Sequence, residues 1–87
     1  MANPSIPQIK VMDSAVEKVT KQLHTLLATK GVHLPDSLYP RIRYHPQWSE
    51  PNVIVVVKLA QSDSPDETNQ TTLMSVVYDE HGELQVM

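Results

Sequence analysis

The sequence predicts an α+β domain, with one N-terminal helix packed on a three- to four-stranded antiparallel β-meander. Three observations carry this reading. Apolar residues between 14 and 30 recur at the three- and four-residue spacing of a helix face. Beyond residue 40 the pattern changes to short β-branched runs, the most concentrated being Val-Ile-Val-Val-Val-Lys at 53–58. The connections between these runs are short enough to favour sequential hairpins over crossovers.

Eighty-seven residues suit a single domain spanning 1–87. With 40% hydrophobic residues and no Phe, the core must be built from Val, Leu, Ile and Met. The chain has no Cys, which excludes disulfides and Cys-ligated zinc. The first seven residues have neither the charged nor the apolar segment of a signal peptide, and no apolar run approaches the ~20 residues of a membrane span. A cytoplasmic protein is therefore expected. The formal charge of −3 is ordinary for solubility and argues against a dominant nucleic-acid footprint.

Pro4 and Pro7 mark residues 1–7 as a loose arm, and residues 8–12 are candidates for a short strand. Ser14 and Glu17 match a capping box, with Asp13 as a rival cap. From there Val16, Val19, Leu23, Leu26 and Leu27 build one apolar stripe. Glu17 and Lys21 stand four apart in the favourable order. Lys30 and Gly31 supply a last-turn cation and a left-handed C′ residue. The predicted helix is thus 14–30. Residues 32–40 are a connector with two prolines, in which Asp36 and Ser37 suit one short turn.

Residues 41–45 alternate and read as a strand bounded by Pro40 and Pro46, placed at a sheet edge because proline cannot donate to a ladder. Residues 45–51 lead into the strand centred on 53–59. Residues 61–70 form a polar, acidic loop expected to be mobile. Strand 71–78 follows, then a turn at 79–82 with Gly82 in the left-handed position, then a short strand at 83–87.

The two inner strands carry the functional clue. Successive strand residues point to opposite faces. In the first, Val53, Val55, Val57 and Leu59 share one face, and Ile54 and Val56 the other. In the second, Leu73 and Val77 oppose Met74, Val76 and Tyr78. Both faces of these strands are apolar, yet the chain supplies one helix. Alternation alone leaves open which set that helix covers. The uncovered side is expected to mark an interaction surface, with Ile54, Val56, Met74, Val76 and the proline-framed Trp48 as its residues. Twofold homodimers are the commonest oligomers, so a second copy is the leading cover. Residues 1–12, the 32–40 connector or a different protein partner are the alternatives.

Other constellations are weaker. Arg41, Arg43 and His45 share a strand face that Lys58 extends, which suits an anion or nucleic-acid surface; the simpler reading is a solvated face that blocks edge-to-edge aggregation. His24, His33, His45 and His81 lack metal-motif spacing. Asp63, Asp66, Glu67 and Asn69 do not match an EF-hand loop. Trp48 is either a binding anchor or a lid over the sheet edge. No nucleophile elbow or glycine-rich phosphate loop occurs, so no catalytic, cofactor or metal residue is assigned. The expected function is a small interaction or regulatory module, working through surface contacts as a homodimer. The alternatives are nucleic-acid binding through Arg41, Arg43 and Lys58, or a small-molecule site between helix and sheet with Tyr39, Tyr44 or Tyr78 as polar handles.

Overall fold

The computed structural model describes residues 6–64, 66 and 68–87. Helices α1 (Ile6–Lys21) and α2 (Leu23–Thr29) lead through a 3-10 helix (Asp36–Arg41) into four strands: β1 (Ile42–Ser49), β2 (Asn52–Ala60), β3 (Gln70–Tyr78) and β4 (Leu84–Val86). The strands form one antiparallel sheet in the order β1-β2-β3-β4, so the expected meander is the one observed.

The helix begins earlier than its caps suggest. Residues 6–12 are helical rather than an arm or a strand, and residues 1–5 of the expected arm lie outside the described residues. Two physical reasons account for this. Proline is tolerated in a first helical turn, where its missing N–H has no partner to lose, so Pro7 opens the helix instead of preventing it. The spacing Met12, Val16, Val19 also continues the stripe upstream, with Met12 packed against the core. Ser14 and Glu17 therefore lie mid-helix and form no capping box. Glu17 does pair with Lys21, at 3.0 Å on the exposed face.

Gln22 separates the two helices, although its N–H still reaches Lys18 O (3.1 Å) and its carbonyl accepts from Leu26 N (2.9 Å). Thr20 Oγ1 turns back to Val16 O at 2.8 Å just before this break, a contact that tends to bend helices. The end of α2 is a Schellman motif. Gly31 N donates to Ala28 O, Val32 N donates to Leu27 O, and Gly31 takes a φ of 76°.

Ala15, Val19, Leu23, Leu26 and Leu27 are buried against Ile42, Val53, Val55, Val57, Met74 and Val76 in one core. The register explains which sheet residues join it. Tyr44, Pro46 and Trp48 stand opposite Val57, Val55 and Val53, while Val76 and Tyr78 stand opposite Val86 and Leu84. All belong to the helix-covered face. Burial pushes the Tyr44 hydroxyl above the usual tyrosine range, an effect that the neighbouring Thr20 hydroxyl partly offsets. Met12, Val32, Leu34 and Tyr39 pack against the same core, so the segments that were candidates to cover the second face go to the first.

β1 is longer than predicted. It runs through Pro46 to Ser49 and leaves only Glu50 and Pro51, joined by a cis peptide bond, between β1 and β2. β1 is indeed an edge, and an edge strand accommodates proline within its length. Trp48 consequently sits in a strand opposite Val53, not on a loop. Gln70 belongs to β3 rather than to the acidic loop. A bulge displaces the register between Val57 and Lys58, with Leu73 as the extra residue of β3. The β3–β4 turn is held by Asp79, whose Oδ1 accepts from His81 N and Glu83 N at 2.9 Å each. Those bonds, led by Glu83, hold its carboxyl below the usual range. Gly82 takes a φ of 79° there, as expected, and its carbonyl accepts from Lys18 Nζ, fastening α1 to this turn.

Candidate interaction surface

The face turned away from the helices follows from the same register. It carries Arg43, His45, Gln47 and Ser49 on β1; Asn52, Ile54, Val56, Lys58 and the buried Ala60 on β2; Gln70, Thr72, Ser75 and Val77 on β3; and Gln85 on β4. Ile54, Val56 and Val77 are half-buried and adjoin one another at its centre. Polar side chains surround them. In outline this resembles an interface patch, apolar in the middle and hydrogen-bonding at the rim.

The expected interaction set divides between the two faces. Ile54 and Val56 lie on the open one. Met74 and Val76 are 3% and 0% exposed and belong to the core, because they stand opposite Val57 and Val55. Their alternation was legible, but the relative register of β2 and β3 was not. The open face is thus less apolar than the two inner strands implied. Its third apolar member, Val77, was on the sequence as the residue out of phase with Met74 and Val76. Trp48 packs against the core on the covered face, where it acts as a lid on the sheet edge.

The cations occupy one end of the open face. Arg43 stands opposite Lys58, and Lys58 opposite Thr72. Arg43 is spent internally: Nη1 donates to Pro40 O (2.8 Å) and Ile42 O (3.1 Å), and Nη2 to Ser64 O (3.2 Å). Arg41 ends the 3-10 helix and does not extend the strand row as expected. His45 Nε2 and Gln70 Oε1 lie 2.7 Å apart. No carboxylate stands in the paired positions of this face, although the chain has ten Asp and Glu.

The remaining candidates do not converge. Among the described residues no three His, Asp or Glu side chains are grouped to hold a metal. His24 Nδ1 meets Tyr39 Oη at 3.0 Å with the rings 4.7 Å apart, so that Tyr39 handle is engaged on the surface. Tyr44 lies within the helix–sheet contact, and no cavity opens there among the described residues. Exposed Ile9 and Val11 stand two apart on α1 and so face different ways. No described helix is long and apolar enough to cross a membrane. Comparison with protein-family models, curated proteins and solved structures finds no match to this chain.

Proposed function

We propose that this protein is a small interaction or regulatory module that works by presenting the open face of its sheet to a macromolecular partner. The observation that carries the reading is the asymmetry of the sheet. One face is sealed by both helices and the connector, while the other keeps Ile54, Val56 and Val77 accessible at the centre of a polar ring. A solvated antiparallel face needs no apolar centre, since alternating sequences place polar residues there. A reducing, cytoplasmic setting fits a chain without cysteine.

Nucleic-acid binding has less support. Arg43 already donates to three carbonyls, Arg41 is off the strand, and Tyr44 and Trp48 lie on the covered face, which leaves Lys58 without a neighbouring aromatic for base stacking. The test is affinity capture from an extract of the source organism with three baits. Wild type and the helix-surface variant Lys21→Glu are expected to retain the same proteins, and Val56→Glu to lose them. Equal retention by all three baits would remove the reading.

A further inference from the structure

We draw no further inference here: the strongest candidate, the apolar centre formed by Ile54, Val56 and Val77 on the open face of the sheet, belongs to the surface already described, and nothing in the structure shows what covers it.

Discussion

Val55 and Val56 are chemically identical neighbours in one strand, and the fold uses them differently. Val55 is completely buried beneath α1, with Pro46 and Val76 beside it in the sheet. Val56 lies on the other face between His45 and Ser75 and keeps part of its surface in solvent. The comparison extends to whole faces. The covered side is apolar in every strand, from Ile42 and Tyr44 to Val86. The open side has its apolar centre where β2 and β3 meet. Strand composition alone does not distinguish a core from an interface. Their difference lies in what the flanking strands place beside the same valine.

The largest expected break in this symmetry is a cavity on the covered side. Leu27→Ala should cost ~2–5 kcal/mol, because Leu27 is fully buried and its neighbours cannot collapse completely. Val56→Ala, measured by urea denaturation at high dilution, should cost much less. Comparable losses would show that the open face is sealed within a single copy. A sharper contrast is Val55→Thr against Val56→Thr. The buried hydroxyl should cost about 1–3 kcal/mol, while the half-open one stays within about 0.5. Equal effects on the urea midpoint would dissolve the distinction.

The smallest effect concerns Tyr44 and His45, again neighbours on opposite faces. The Tyr44 hydroxyl is raised chiefly by burial, so its neutral form is favoured in the folded state. Its contribution to stability is complete below the tyrosine pKa of the unfolded chain and is lost as pH rises toward the folded value. Tyr44→Phe should therefore flatten the alkaline limb of the stability profile. His45→Gln should leave that limb unchanged. Denaturant midpoints between neutral pH and pH 11 would read both.

Several features were open to local reasoning. The stripe Val19, Leu23, Leu26 and Leu27, the left-handed Gly31 and Gly82, the edge position of the Pro46 strand and the meander all follow from spacing, backbone freedom and short connections. The start of α1 did not, because Pro7 reads as a breaker unless its place in the first turn is known. The length of β1 did not either, since Pro46 is tolerated only because that side of the strand has no neighbour.

By itself the sequence determined that β2 would be apolar on both sides, because five β-branched residues in succession cannot alternate with polar ones. Tertiary structure decided which side faces the helix. That choice depends on strand register, and register is a long-range property. Val57 pairs with Met74, and the bulge at Leu73 then returns Lys58 to Thr72, so that Met74 and Val76 go to the core while Val77 joins Ile54 and Val56 outside. A slip of one residue would have exchanged every one of these assignments.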